Sequence, residues 1–352
     1  MSNGVIVSMD VRVSVIVPVY NGEGYLLPCL QSLAAQTLKE WEVIVVNDGS
    51  SDGSGAVAER FSESDSRFRV IHQENQGVSA ARNAGIRQAR GDYLGFVDAD
   101  DTVEPDFLET LYREALKDRC DIVVSTFESE LEGRKVVTDY PFPADLLMGK
   151  KEIQEEILPY FIRTDQLNTA CTKLYRRTMI QDNAVEFPLK MALGEDGIFN
   201  MRAFQQAERI KFLRYTGYQY RETEGSATRN LRDKDYFQRA LEVHTTDYSK
   251  LLPNYKDENK IRRLRSIRLI HSVMSFVYVY FKAADEWSLT KRFGYVRRMI
   301  RHPLVQEALP DYYGEVYGTL GRYDRFLADM IRRKSTAGLY AATFYSRLRN
   351  KR

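Results

Sequence analysis

Short apolar runs alternate with helically spaced segments through the first 130 residues. Residues 13–19 (VSVIVPV), 41–46 (WEVIVV), 68–71, 93–97 and 121–125 are near-continuous apolar stretches, the pattern of strands buried on both faces of a parallel sheet. Between them, residues 24–36, 53–62, 78–90 and 104–117 place their apolar positions at helical spacing. Repeated βα units predict a doubly wound α/β layer.

In such sheets ligands bind beyond the carboxyl ends of the strands. The polar residues there are Tyr20 and Asn21 after the first strand, Asn47, Asp48 and Gly49 after the second, and Asp98, Asp100 and Asp101 after the fourth. All three clusters are expected on one rim. Residues 130–150 turn polar, with Pro141 and Pro143, and read as an excursion or linker. Residues 151–230 are mixed in character and hold Gly194-Glu195-Asp196-Gly197 just before a predicted helix. From about residue 231 the chain reads as helical, which divides it into a domain at 1–230 and a helical, basic region at 231–352. There is no internal repeat and no low-complexity tract.

Composition narrows the function classes. With 43% hydrophobic and 28% charged residues among 352, the chain is an ordinary folded protein. A formal charge of +2 gives no global basic field for nucleic acid, so none is expected as a partner. Cys29, Cys120 and Cys171 are odd in number and widely spaced, and the four His are scattered. Neither a disulfide framework nor a zinc site is expected, and a reducing, cytoplasmic setting fits. Residues 1–10 lack a basic region followed by an apolar core, so no secretory signal is expected. The longest mostly apolar run, 269–281, is short of the roughly 20 residues of a spanning helix.

Charge is local to the tail. Residues 261–301 carry ten Lys or Arg against two acids, and residues 331–352 carry seven against none. The last segment also holds Leu339, Tyr340, Phe344, Tyr345 and Leu348. That mixture suits a helix lying on an anionic membrane surface, and equally a solvated face packed on its own domain. The oligomeric state is left open.

The strongest chemical cluster is Asp98-Ala99-Asp100-Asp101 at a strand end. Adjacent carboxylates repel one another unless a hard cation or hydrogen-bond donors compensate them, and oxygen-only ligands favour magnesium or manganese over zinc. Alternation along an extended chain places Asp98 and Asp100 on one side. Capping of a helix from Glu104 by Asp101 or Thr102 accounts for one acid but not for three.

Three other segments keep two readings each. Asp48, with Gly49 permitting close backbone approach, suits an imide N–H of a nucleobase, but Asn47 to Asp52 also reads as a capped βα loop. Arg82, near the start of a helix rich in small residues, suits a diphosphate, or equally pairs with a rim acid. Glu195 and Asp196 suit a helix N-terminus, or the deprotonation of an acceptor hydroxyl.

Together these segments resemble the inverting glycosyltransferases of family 2, with the GT-A nucleotide-diphospho-sugar transferase fold. The match runs through residues 13–26, 43–54, 74–101 and 194–199, within roughly the first 230 residues. The resemblance implies a Rossmann-like, mixed but mainly parallel sheet. It implies that Pro18, Tyr20, Asn21 and Glu23 line the nucleoside pocket and that Asp48 contacts the base. Asp98 and Asp100 match the family's metal motif, the second acid holding Mn²⁺ or Mg²⁺ and the first, with Ala99 between them, lying near the ribose. Asp196 matches the catalytic base, with Glu195 beside it. Residues 220–226 look like the loop that closes over the diphosphate, with Arg221 as its anion contact.

The implied activity is transfer of a sugar from a nucleotide-diphosphate sugar, a UDP-sugar, to a glycan or lipid-linked acceptor in cell-surface polysaccharide synthesis. The implied location is cytoplasmic, on the cytoplasmic membrane face. Many relatives carry an aromatic residue and Asn just before the Lys-Leu-Tyr of residues 173–175, whereas Cys171 and Thr172 stand here, which leaves the acceptor wall open. Three rivals remain. A nicotinamide oxidoreductase lacks its G-x-G-x-x-G after the first strand. A sugar nucleotidyltransferase lacks its Gly-rich basic loop there. A silent nucleotide-sugar or glycan-binding module does not account for Glu195 and Asp196.

Overall fold

Every residue of the first strand, β1 (Val13–Val19), is buried, as its unbroken apolar run requires. The parallel strand β2 (Trp41–Asp48) flanks it on one side and β4 (Tyr93–Phe96) on the other, with β3 (Phe68–Gln73) beyond β2. Pro18 lies past the last β1 pairing with β4, Ile16 opposite Phe96, so its missing N–H removes no ladder bond on that side. Helices α1 (Glu23–Ala34), α2 (Ser54–Ser64) and α3 (Val78–Gln88) connect these strands. A Cβ on Gly85 of α3 would lie 2.4 Å from Ile16 Cγ2, which is why this helix is rich in small residues.

The computed structural model describes residues 10–131, 134–189, 194–221, 235–253, 255–282 and 287–350. They form two compact units. The first holds the described residues up to Phe161 and those from Asp165 to Arg221; the second holds Ile162–Thr164 and the described residues from Asp235 onward. The boundary expected near residue 230 lies outside the described residues.

The stretch expected as a linker is part of the sheet. After β5 (Thr102–Val103) and α4 (Phe107–Lys117), β6 (Ile122–Leu131) runs past the apolar segment 121–125 and pairs antiparallel with β7 (Arg134–Thr138). Its outer half is only half-buried, so polar residues alternate there and no apolar run marks it. Pro141 and Pro143 fall between β7 and β8 (Leu147–Gly149), where they break the chain without ending the domain. Strand β9 (Lys173–Arg176) lies antiparallel between β4 and β6. The long β10 (Arg209–Tyr220) is parallel to β6 and antiparallel to β5 and β8. The order β3-β2-β1-β4-β9-β6-β10-β5, with β7 on β6 and β8 on β10, is the mixed sheet expected of the GT-A fold. It brings α5 (Glu195–Gln206), between β9 and β10 in the chain, into the same unit as the strand ends.

The second unit is helical. Helix α7 (Glu258–Lys282) buries Ile270, Val273 and Val277 against residues of α6 (Tyr236–Thr245), α8 (Leu289–Arg301) and α9 (Pro303–Glu315). Leu327 and Ile331 of α10 (Arg322–Arg332) and Leu339 of α11 (Thr336–Asn350) complete that core. The apolar run 269–281 is therefore the interior of a bundle. Among the described residues, no helix is long and apolar enough to cross a membrane.

Candidate active site

The rim begins where β1 and β2 end. Asn21 adopts a left-handed backbone, φ 50°, and accepts a 2.8 Å hydrogen bond on its side-chain oxygen from Ser51 N–H, while its own N–H donates to Ser50 Oγ. Glu23 N–H donates to Asp52, and Gly53 N–H returns a bond to Glu23 Oε2. These reciprocal bonds tie the two βα loops into one wall, with Tyr20 exposed on it and Pro18 buried behind it. Short polar side chains hold such loops because they bond to backbone at close range.

Asp48 is almost fully buried and organises the next loop. Its Oδ1 accepts from Gln73 Nε2 at 2.6 Å and Gln76 N–H at 3.0 Å, and its Oδ2 accepts from Gly77 N–H at 2.8 Å. This fixes the start of α3. Gly49 has φ +73°, and a Cβ there would lie 2.7 Å from Asn75 N, so the close approach it permits is to the protein's own backbone.

The acidic cluster departs from the extended geometry expected of it. Strand β4 stops at Phe96, and Asp98 to Asp101 form a turn in which Asp101 N–H donates to the Asp98 carbonyl at 3.0 Å. Strand alternation therefore does not apply to Asp98 and Asp100. Both are half-buried, as is Ala99 between them, whereas Asp101 is fully buried. Asp101 accepts from Tyr218 Oη at 2.6 Å and from Arg221 N–H at 2.9 Å, anchoring the end of β10. Burial, with the Asp98 charge adding to it, pushes its carboxyl up to about 8. It does not cap a helix: α4 starts at Phe107, three residues later than expected, because Thr102 and Val103 pair with β10.

Arg82 pairs with rim acids from two distant segments. Its Nη2 donates to Asp98 Oδ1 at 2.8 Å and its Nη1 to Asp196 Oδ1 at 2.6 Å, with Glu195 Oε1 4.0 Å from Nη1. The side chain is only 4% exposed and lies 5.2 Å over the Phe187 ring. Burial works against its charge, but Asp196 and Asp98 outweigh it and hold the guanidinium pKa well above its usual value. Asp196 stands in the first turn of α5, beside a helix N-terminus that favours negative charge. Its Oδ2 accepts from Ala170 N–H at 3.0 Å. Burial raises its carboxyl pKa, with Arg82 opposing and Asp98 adding to the rise.

Several supporting residues carried no sequence signal of their own. Asn83 exchanges both hydrogen bonds with the Phe187 backbone, at 2.9 Å each, which seats that ring under Arg82. Phe187 stacks on Phe199 of α5 at 3.9 Å. Tyr175 Oη donates to Asn200 Oδ1 at 2.7 Å, and Asn200 in turn donates to the Asp196 carbonyl at 2.9 Å. The Asn in Arg82-Asn83 and the Tyr in Lys173 to Tyr175 lay inside quoted motifs, but only the fold shows what they hold. Lys173 is buried, donates to the Leu167 and Thr169 carbonyls, and is pushed down to about 7 by burial, with Asp196 opposing. Cys171 and Thr172 are buried beside it.

Arg221 is half-buried, and its Nε and Nη2 have no hydrogen-bond partner among the described residues. The rest of the expected closing loop, residues 222–226, lies outside the described residues. Among the described residues no three metal-ligating side chains cluster. Asp98 and Asp100 still fit a hard divalent cation of the kind held by one or two carboxylates plus substrate phosphates.

The family model described as glycosyl transferase family 2 matches residues 14–182. EpsH of Bacillus subtilis strain 168, named as a glycosyltransferase, is 34% identical over 300 residues, 84% of this chain and 85% of that protein. EpsJ of the same organism, named an uncharacterized glycosyltransferase, is 40% identical over 216 residues, 61% of this chain and 62% of that protein. The solved structure of Staphylococcus aureus TarS 1–349 in complex with UDP-GlcNAc is similar in fold, with a TM-score of 0.63 at 22% identity, covering 96% of this chain and 92% of that one. TarS is named poly(ribitol-phosphate) beta-N-acetylglucosaminyltransferase and is 29% identical over 234 residues, 64% of this chain and 39% of that protein. On the extent of the likeness to EpsH and the family-model match over residues 14–182, the chain belongs to glycosyltransferase family 2.

Proposed function

We propose that this glycosyltransferase is metal-dependent and moves a sugar, with inversion, from a UDP-sugar to a hydroxyl of a glycan or lipid-linked acceptor in cell-surface polysaccharide synthesis. One observation carries the reading: a single buried guanidinium, Arg82, joins Asp98 beyond β4 to Asp196 at the start of α5. The acid assigned to the donor and the acid assigned to the acceptor thereby share one rim. The UDP-GlcNAc complex of TarS supports the choice of nucleotide.

In this reading Pro18, Tyr20, Asn21, Glu23, Asp48 and Gly49 form the nucleoside side of the rim, with Asp98, Ala99 and Asp100 at the ribose and diphosphate. Mn²⁺ or Mg²⁺ held by Asp100 and Asp98 would supply Lewis-acid neutralisation of the leaving diphosphate. Arg221 adds a cationic contact to that anion. Asp196 takes the acceptor hydroxyl proton on a carboxylate oxygen, and Glu195 beside it orients the acceptor. Burial raises the proton affinity of Asp196 while Arg82 opposes that rise, and a raised proton affinity suits a general base. Attack from the face opposite the diphosphate, through an oxocarbenium-like state, inverts the anomeric carbon. Residues 1–230 carry this chemistry, and residues 231–352 serve the acceptor and association with the cytoplasmic membrane surface.

A silent nucleotide-sugar or glycan-binding module draws on one observation: both Asp196 oxygens already accept hydrogen bonds. A panel of nucleotide sugars, assayed for UDP or GDP release with lipid and glycan acceptors, separates the two. Release from one donor, abolished by EDTA and by Asp100→Ala, fits the transferase. Binding without turnover on every donor fits the module.

A further inference from the structure

Helix α11 has two apolar faces, and only one is used by the core. Leu339, Ala342 and Thr343 face inward and are buried. Ala341, Phe344, Tyr345 and Leu348 recur at the same helical spacing on another face and are exposed, Phe344 at 52%, Tyr345 at 64% and Leu348 at 54%. A solvated helix packed on its own domain needs one apolar stripe, not two.

The neighbouring α10 extends this surface. Its Leu327, Ala328 and Ile331 are buried, whereas Tyr323 and Phe326 are exposed at 37% and 44%. Between the two helices runs an apolar groove of about 580 Å³, lined by Tyr323, Phe326, Ala341 and Tyr345, with Arg322 and Arg349 also on its walls. From Arg322 to Arg349 the chain carries seven Lys or Arg against two Asp. Contiguous apolar exposure marks an interaction site, and the surrounding charge selects the partner. A second copy of this face would bring like charges together. A surface that is anionic at its headgroups and apolar beneath satisfies both features.

We propose that the α10–α11 face docks on a membrane carrying anionic lipids. Phe326, Phe344, Tyr345 and Leu348 enter the boundary between headgroups and acyl chains, and Arg322, Arg347 and Arg349 meet lipid phosphates. This rests on the membrane-surface reading above and specifies the residues and the lipid charge.

The test is co-sedimentation of the full chain with vesicles of phosphatidylcholine alone and with vesicles that also carry phosphatidylglycerol. Binding is expected only to the second. The pair Phe344→Ser with Leu348→Ser, and separately Arg347→Glu with Arg349→Glu, should each weaken it by about tenfold or more. All four positions lie on a surface helix, so thermal unfolding should stay close to the parent's, and UDP affinity measured by calorimetry without vesicles should be unchanged. Equal binding to both vesicles, no binding to either, or binding indifferent to both pairs overturns the proposal. A concentration-dependent dimer in sedimentation velocity, lost with Phe344→Ser, also overturns it by naming a second copy as the occupant. Vesicle binding without turnover on any donor would instead leave this inference standing and sink the transferase reading.

Discussion

Arg82 Nη1 lies 2.6 Å from Asp196 Oδ1, and the same guanidinium reaches Asp98 Oδ1 at 2.8 Å. One cation therefore holds two acids that are 98 positions apart in the chain. Removing it leaves two carboxylates facing each other in a largely buried site, which costs more than the pair contributes when intact. Arg82→Met is expected to lose about 3–5 kcal/mol of unfolding free energy by that principle. Arg82→Lys should retain more stability but lose turnover, because an ammonium cannot present a planar fork to both acids. Denaturant unfolding alongside UDP release checks both variants.

Tyr218 holds the turn that carries Asp98 and Asp100. Its Oη donates to buried Asp101 at 2.6 Å and accepts from Asp98 N–H at 3.3 Å. Tyr218→Phe leaves both groups without this partner, at a cost of about 1–3 kcal/mol. Calorimetric binding of UDP should weaken in the same variant, because the turn loses its support from β10.

How much of this was legible follows from where the signal resides. The strands β1 to β4 and helices α1 to α3 were readable because β1, β2 and β4 are buried on both faces, β3 still carries Phe68, Val70 and Ile71, and each helix shows one stripe. Strands β7 and β9 were not: β7 is exposed at residues 135–137, and β9 buries a Lys, so neither has an apolar run. The rim clusters were readable as motifs, but their internal wiring was not. Nothing local distinguishes Asp101, which anchors β10, from Asp100 next to it. The bridge from Arg82 to Asp196 spans 114 positions and exists only once the sheet has formed.

Lys173 makes stability depend on alkaline pH. Its folded pKa is about 7 because of burial, against about 10.4 for an unfolded lysine. Between those values the unfolded chain binds a proton that the folded chain does not, so this group makes stability rise with pH, by at most about 1.4 kcal/mol per unit. Below about 7 its burial penalty is fully present. Lys173→Met should flatten that rise between pH 7.5 and 9.5, roughly the interval between the two pKa values, as read from chemical unfolding of variant and parent at each pH.

Glu42 gives a slope of the same sign at acid pH. It is 2% exposed and accepts from Ser14 Oγ at 2.7 Å, Arg90 Nη2 at 2.7 Å and Arg90 N–H at 2.9 Å. Burial works to raise its pKa, but the Arg90 and Ser14 hydrogen bonds together outweigh it and hold the carboxyl below its ordinary value. Its contribution is present above the unfolded pKa and is lost as pH falls through the folded one. Glu42→Gln should cost about 1.5–3 kcal/mol at neutral pH and little once the parent's carboxyl is protonated, which melting curves across the acid range would show.

The central claim is that Asp196 takes the acceptor proton from a site already assembled by Arg82. Asp196→Asn keeps the shape and the Ala170 contact but removes the base. The direct measurement is UDP affinity by calorimetry and UDP-sugar turnover on one preparation of this variant. Retained affinity with turnover reduced at least about a hundredfold, the lower bound for a lost general base, is the predicted result. Turnover within a few fold of the parent, with affinity unchanged, would contradict it.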